Sequence, residues 1–229
     1  MKLLAIETST DFGSCALLLD GRMNQRVCPA GRPHSETLLP LVRELMAEAG
    51  LSFRSLDGIA FGAGPGAFTG LRVACGIAQG LAVAADLPVV PVSGLEAMAA
   101  TVGEPRVLSL LDARMGEVYG GAYERHGEVF ALTGAITLTA PEALEFPGTA
   151  AWIACGNAID AYPLLAGRLR DGGLQIRSGV LPQADALARL GAVRLQRGEG
   201  IDPALAAPLY VRNKVAKTIG ERLAEGGRA

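Results

Sequence analysis

The spacing of apolar positions switches several times between the tight runs of strands and the three-and-four spacing of helices, and the switches outline the chain. Residues 3–6 and 14–19 are short apolar runs and read as strands. Asp20-Gly21 is a two-residue hairpin turn into a third strand at 22–28. From 35 to 49 the apolar residues Leu38, Leu41, Val42, Leu45, Met46 and Ala49 recur at helical spacing, with Gly50 as the stop. Pro40 removes one backbone donor unless it lies in the first turn, so the start of that helix stays open. A strand at 58–61, a glycine-rich turn, an apolar helix at 71–85 and a strand at 89–92 follow. The order is β-β-β-α-β-α-β.

The second half begins in the same way. Strands are expected at 106–111, 117–123 and 129–138, then at 152–155 after a connection holding Pro141, Pro147 and Gly148. Helices follow at 158–170 and 182–197. No residue-level repeat is visible, yet the order of elements is approximately duplicated. Two α/β lobes are expected, 1–102 and 103–229, with the boundary near 101–105.

Composition narrows the function classes. The 229 residues are half hydrophobic and only 5% aromatic, so the core must be built largely from Ala, Val and Leu. Against 23 acidic residues stand 21 basic ones, a net charge of −2. That is not the electrostatic footprint of a free-standing nucleic-acid binder. Cys15, Cys28, Cys75 and Cys155 lie far apart and read as reduced thiols, which points to the cytoplasm. Glu7 interrupts the N-terminal apolar run too early for a signal peptide. The apolar stretch 71–85 carries Gln79 and falls short of the roughly 18–20 residues of a membrane span.

Three stretches can carry chemistry. Phe61-Gly62-Ala63-Gly64-Pro65-Gly66-Ala67-Phe68-Thr69-Gly70-Leu71-Arg72 joins a strand to a helix. Its glycines permit close approach, and the helix start offers N–H groups to an anion, so Gly64 and Gly66 are candidate contacts. The alternative is a tight structural turn. No Gly-Lys-Ser/Thr closes the run, which excludes a Walker loop, and no acid ends the following strand as a dinucleotide fold requires. The hydroxyls of Glu7-Thr8-Ser9-Thr10-Asp11 can hold phosphate oxygens, with Thr8 and Ser9 as candidates, or bond to their own turn. The third stretch, Gly76, Gly80 and Ala84 at intervals of four, forms a ridge for a partner helix or for the chain's own sheet. Catalytic clusters are otherwise missing. His34 and His126 are far apart, no metal-ligand spacing occurs, and His34 reads as a residue at the start of a helix. The mildly basic stretch 211–217 reads as a solvated face.

Five segments together resemble a known family. They are Leu4-Ala5-Ile6-Glu7-Thr8-Ser9, His34-Ser35-Glu36 before Leu39-Pro40, Gly64-Pro65-Gly66-Ala67-Phe68-Thr69-Gly70-Leu71-Arg72, Asp112-Ala113-Arg114-Met115 with Glu117-Val118-Tyr119, and Pro208-Leu209-Tyr210-Val211-Arg212. The family is TsaB, also called YeaZ, which serves the formation of threonylcarbamoyladenosine in tRNA. The resemblance implies a two-lobed actin/Hsp70/sugar-kinase (ribonuclease H-like) fold, each lobe β-β-β-α-β-α-β. It also implies a non-catalytic subunit that binds the catalytic paralogue TsaD, together with the ATPase TsaE. The complex transfers a threonylcarbamoyl group to N6 of adenosine 37, and tRNA is reached through the complex.

TsaD carries a metal on His-x-x-x-His just after its equivalent of 89–92, where this chain has Gly94 and Met98. Neither replaces an imidazole, so the resemblance implies no metal and no catalytic residue here. ATP or ADP belongs to the complex, and the isolated chain is left open between a monomer and a homodimer. The partner face is expected on the two helices of the first lobe, at Leu38, Leu41, Val42 and Leu45 and at Gly76, Gly80 and Ala84. The competing reading is a stand-alone enzyme of the same fold, an ATPase or kinase with Asp112 as its carboxylate, or a glycoprotein-endopeptidase-like protease.

Overall fold

The structure is a computed structural model and describes residues 1–148 and 151–212. The first sheet contains β1 (Lys2–Glu7), β2 (Ser14–Leu19), β3 (Arg22–Val27), β4 (Gly58–Gly64) and β5 (Val89–Ser93), in the order β3-β2-β1-β4-β5. β1 pairs antiparallel with β2 and parallel with β4. The parallel steps require crossovers, and α1 (His34–Glu48) and α2 (Phe68–Ala85) supply them. α3 (Gly94–Val102) then leads into the second sheet.

That sheet contains β6 (Arg106–Arg114), β7 (Glu117–His126) and β8 (Val129–Leu132), with β9 (Thr137–Thr139) beside β7. β10 (Ile153–Gly156), α4 (Ala158–Ala161), α5 (Pro163–Asp171), β11 (Gln175–Ser178) and α6 (Ala184–Gln196) complete the order. The strands run β11-β10-β6-β7-β8.

The period of two in each strand sorts side chains into three cores. Leu4 and Ile6 of β1 join Leu38, Val42, Phe61 and Ala78 beneath α1 and α2. Leu3 and Ala5, pointing the other way, join Leu95, Met98, Leu111 and Leu187 in a central core. Leu108 and Leu110 of β6 pack with Trp152, Ile159 and Leu169 on the far side. The helices α3 and α6 therefore lie between the two sheets and bind the lobes through shared apolar burial.

Several expectations are corrected. α6 comes late in the chain yet packs on the first sheet. A Cβ at Gly191 would stand 2.7 Å from that of Ala60. The Ala184 N–H donates to Ser14 Oγ at 3.0 Å. Arg194 pairs with the buried Glu96 of α3 and donates to the Pro91 carbonyl at 2.7 Å. α3 and β11 were not expected at all. The strand expected at 129–138 divides into β8 and β9, and the helix expected at 158–170 breaks before Pro163, which cannot continue a helix from Tyr162. Among the described residues no helix lies between β9 and β10, so the second lobe lacks the first helix of the duplicated order. Pro40 lies inside α1, on its exposed side.

Candidate functional site

Three connections meet at one end of the cleft between the lobes: β1–β2, β4–α2 and β6–β7. Thr8 Oγ1 donates to the Gly70 carbonyl at 2.7 Å, and the Ala67 N–H donates to the Ser9 carbonyl at 2.7 Å. A Cβ at Gly70 would lie 1.8 Å from Thr8 O, and one at Gly66 2.4 Å from Ser9 O. These glycines admit the chain's own backbone, as the structural-turn reading holds. Gly64 has φ +116°, a conformation that glycine adopts without the strain of a Cβ. Leu209 and Leu71 cover it.

Glu7 is fully buried under this turn. One of its oxygens accepts the Ser9 N–H, and the other has no partner. Burial pushes its carboxyl above the ordinary range, while the Ser9 and Thr8 bonds and the nearby His34 pull the other way. His34 Nε2 lies 2.9 Å from the Thr10 carbonyl, which can only accept, so that nitrogen carries the proton. Nδ1 is buried without a partner. His34 thus fixes the turn at the start of α1.

On the second lobe, Asp112 Oδ1 accepts from the Arg114 N–H and from the Tyr162 hydroxyl, each at 2.9 Å. Its Oδ2 lies 3.4 Å from the Arg114 guanidinium, and its own N–H donates to Asn157 Oδ1 at 2.9 Å. The carboxylate expected as an enzymatic base is committed to holding its own turn. That turn needs support, because Arg114 and Met115 have φ +60° and +56°, unfavourable for side-chain-bearing residues. Arg114 also reaches across the cleft to Asp11 at 2.7 Å.

Ser9, Gly66 and Asp112 come together around a cavity of about 90 Å³, also bordered by Tyr119 and Asn157. Small-molecule sites usually enclose roughly 300–1,000 Å³, and this cavity by itself is smaller than that. Thr8 borders a neighbouring groove with His34 and Thr69, and Gly64 borders neither space. Asn157 and Tyr162 escaped sequence reasoning. They sit 45 and 50 residues from Asp112 and carry no local motif.

The likeness to known proteins agrees with this geometry. Residues 26–154 match the family model described as tRNA N6-adenosine threonylcarbamoyltransferase, TsaD. The TsaB protein of Escherichia coli is 36% identical over 230 residues, covering 94% of this chain and 96% of that one. Its name is tRNA threonylcarbamoyladenosine biosynthesis protein. The same-named protein of Haemophilus influenzae is 48% identical over 123 residues, 52% of each chain. The solved structure of YeaZ from Pseudomonas aeruginosa superimposes with TM-score 0.82 at 37% identity, covering 92% of this chain and 99% of that one. The chain belongs to the TsaB family. A further solved chain, described as having similarity to peptidase YeaZ from the same organism, gives TM-score 0.85 at 38% identity. These matches carry the two-lobed fold with them.

Within the TsaB family setting, Gly94 and Met98 have definite surroundings. A Cβ at Gly94 would meet Pro182 at 3.1 Å, and Met98 is fully buried in the central core. Among the described residues no group of three His, Cys, Asp or Glu side chains is placed to hold a metal.

The two candidate partner helices differ sharply. Leu38, Val42 and Leu45 are buried in the chain's own core and Leu41 is half-buried, which removes the α1 stripe as a partner face. Gly76, Gly80 and Ala84 are exposed instead of facing the sheet, and Val83 beside them is 63% exposed. A Cβ at Gly76 or Gly80 would meet nothing within 4 Å. The buried face of α2 is Leu71, Ala74, Cys75, Ala78 and Ala82. At 18 residues α2 exceeds the expected 71–85, and by length and composition alone it is long and apolar enough to cross a membrane. The basic stretch from Asn213 onward lies outside the described residues.

Proposed function

We propose that this chain is the non-catalytic subunit that binds TsaD, with TsaE, in the assembly that transfers threonylcarbamoyl to N6 of adenosine 37 in tRNA. The observation that carries this reading is the outward face of α2. It is a continuous helix side with Gly76, Gly80 and Ala84 exposed and no charge between Val73 and Ala85. Small residues let a second helix come close, and loss of apolar surface to water stabilises the contact. TsaD resembles the first lobe, so a pseudo-symmetric pairing of like helices is the economical arrangement. The committed carboxylate of Asp112 and the occupied surroundings of Gly94 and Met98 support a role without catalysis. Thr8, Ser9, Gly64, Gly66 and Asp112 on this reading are structural.

The test is reconstitution of tRNA modification from purified TsaD, TsaE and the adenylate-forming synthase, with and without this chain. Modification that requires the chain, together with none from the chain alone, is the expected result. Modification at full rate without it overturns the reading.

A further inference from the structure

Arg72 stands on the outer side of α2 ahead of Gly76, Gly80 and Ala84, continuing their interval of four, and all four positions are exposed. About 6 Å of helix separates it from Gly76. Its guanidinium carbon lies 3.6 Å from the centre of the Phe68 ring and 6.0 Å from that of Tyr210. Nε donates to the Tyr210 hydroxyl at 3.1 Å. Tyr210 is itself fixed, because the Leu209 N–H before it donates to the Ala63 carbonyl at 2.7 Å. A guanidinium face is attracted to an aromatic ring, so the planar head is held in one orientation. Phe68 and Tyr210 are 37% and 46% exposed, which puts this stack on the surface.

Two other arginines lie over aromatic rings, and both spend their nitrogens inside the chain. Arg125, over Phe130, donates to the Gly103 and Gly127 carbonyls, each at 2.8 Å. Arg168, over Phe146, donates to the Pro141 and Leu144 carbonyls. Arg72 differs. Among the described residues its two terminal nitrogens meet no acceptor and no carboxylate pairs with it. A helix seated on the ridge would take water away from those N–H groups. A cation stripped of water without a partner is costly, so the seated surface must bring acceptors of its own. A carboxylate matches the fork with two parallel bonds. Nothing further along the ridge calls for charge, because Val73 to Ala85 holds none.

We propose that Arg72 is a preset anchor for an Asp or Glu carboxylate of the partner that docks on α2. The inference rests on the subunit reading above, with TsaD as that partner, and adds the chemistry that sets the register of docking. The ridge alone lets a second helix slide, since its small residues look alike from turn to turn. One carboxylate bonded to one fixed guanidinium selects a single register. The stack aims the fork before contact, which lowers the ordering cost of binding. The surface that fits has an uncharged contact side and an acid at the end that meets Arg72.

The test measures TsaD affinity calorimetrically for the full chain, unaltered and carrying Arg72→Gln or Arg72→Lys. The Gln variant is expected to bind roughly tenfold or more weakly. The Lys variant keeps the charge but not the fork, and its affinity should fall between the two. Both variants should melt close to the unaltered chain, because Arg72 is exposed and pairs with no acid of its own chain. Unchanged affinity in the Gln variant overturns the anchor. Equal weakening by Gln and Lys overturns the carboxylate, since charge is then unused. Normal TsaD affinity with weaker tRNA retention by the assembled pair assigns the guanidinium to a phosphate and also overturns the proposal. If the Gln variant does not melt cooperatively, Arg72→Lys is read alone against the unaltered chain, and unchanged affinity overturns the anchor. An unaltered chain that does not bind TsaD overturns the subunit reading and the anchor together. Normal binding by the unaltered chain beside an indifferent Gln variant overturns the anchor alone.

Discussion

α1 and α2 lie on the same face of the same sheet, yet they present opposite surfaces to the outside. The exposed side of α1 carries Glu36, Arg43, Glu44 and Glu48. The exposed side of α2 carries Gly76, Gly80, Val83 and Ala84, with Phe68 and Arg72 at its start. Both helices stabilise the fold through their inner faces, α1 packing against β2 and β3 and α2 against β4 and β1 in one apolar core. Only α2 leaves an uncharged face on which a second backbone can settle. A helix is thus available to a partner according to what its outer side lacks, whatever its inner side contributes.

The contrast breaks first where α1 is cored out. Leu38→Ala should cost about 2–5 kcal/mol, because a fully buried leucine leaves a cavity that the sheet cannot close. Denaturant melting measures it, and TsaD affinity of the folded fraction should not change. A loss below about 1 kcal/mol would return the α1 stripe to the list of partner contacts.

Gly80→Leu tests the other side of the comparison. The site is open, so the isolated chain should melt no lower and should gain from replacing a mid-helix glycine. Affinity for TsaD should fall by roughly 1–3 kcal/mol, about 5- to 150-fold, measured by calorimetry or surface binding. Unchanged affinity would remove the α2 face from the interface.

Carboxylates sharpen the same distinction between inward and outward groups. Glu7, buried where α2 starts, has its pKa raised in the folded chain by burial. The native state therefore holds that proton more tightly than the unfolded state. Its contribution to stability is full below the ordinary value of 4.5 and is lost as pH rises through the raised value. Glu7→Gln should flatten that part of the stability–pH curve in urea melts at stepped pH. A slope identical to that of the unaltered chain would show that Glu7 does not cause it.

The smallest effect belongs to Glu48, outward on α1 and paired with Arg26. Both side chains are largely exposed, at 59% and 37%, so screening by water and salt leaves the pair weak. Glu48→Ala should shift melting by well under about 1 kcal/mol and leave TsaD binding unchanged. A large change in binding would mean that the charged face of α1 also meets the partner.

What the sequence determined by itself was local or carried by motif. The strand–turn–strand start, both helices of the first lobe and the close-approach glycines at Gly66 and Gly70 follow from spacing within about a dozen residues. The five family segments, scattered from Leu4 to Arg212, pointed to the TsaB family and through it to the two-lobed fold. For α1 the sequence carries the cue, charge on one side and leucine on the other, yet that leucine stripe reads as a partner face until burial shows it on the chain's own sheet. Orientation was illegible for α2, since Ala, Gly, Val and Leu occur all round that helix and give no side a preference. Only the tertiary structure decided which side faces water. It also decided that α6 lies on the first sheet and that Glu96 meets Arg194 from 98 residues away. Asp112 was likewise claimed by Asn157, Tyr162 and Arg114 only once the lobes had folded. Such contacts join groups whose separation along the chain follows no period. They form when burial of the central core brings the two sheets together around α3 and α6, and no spacing in the sequence encodes that meeting.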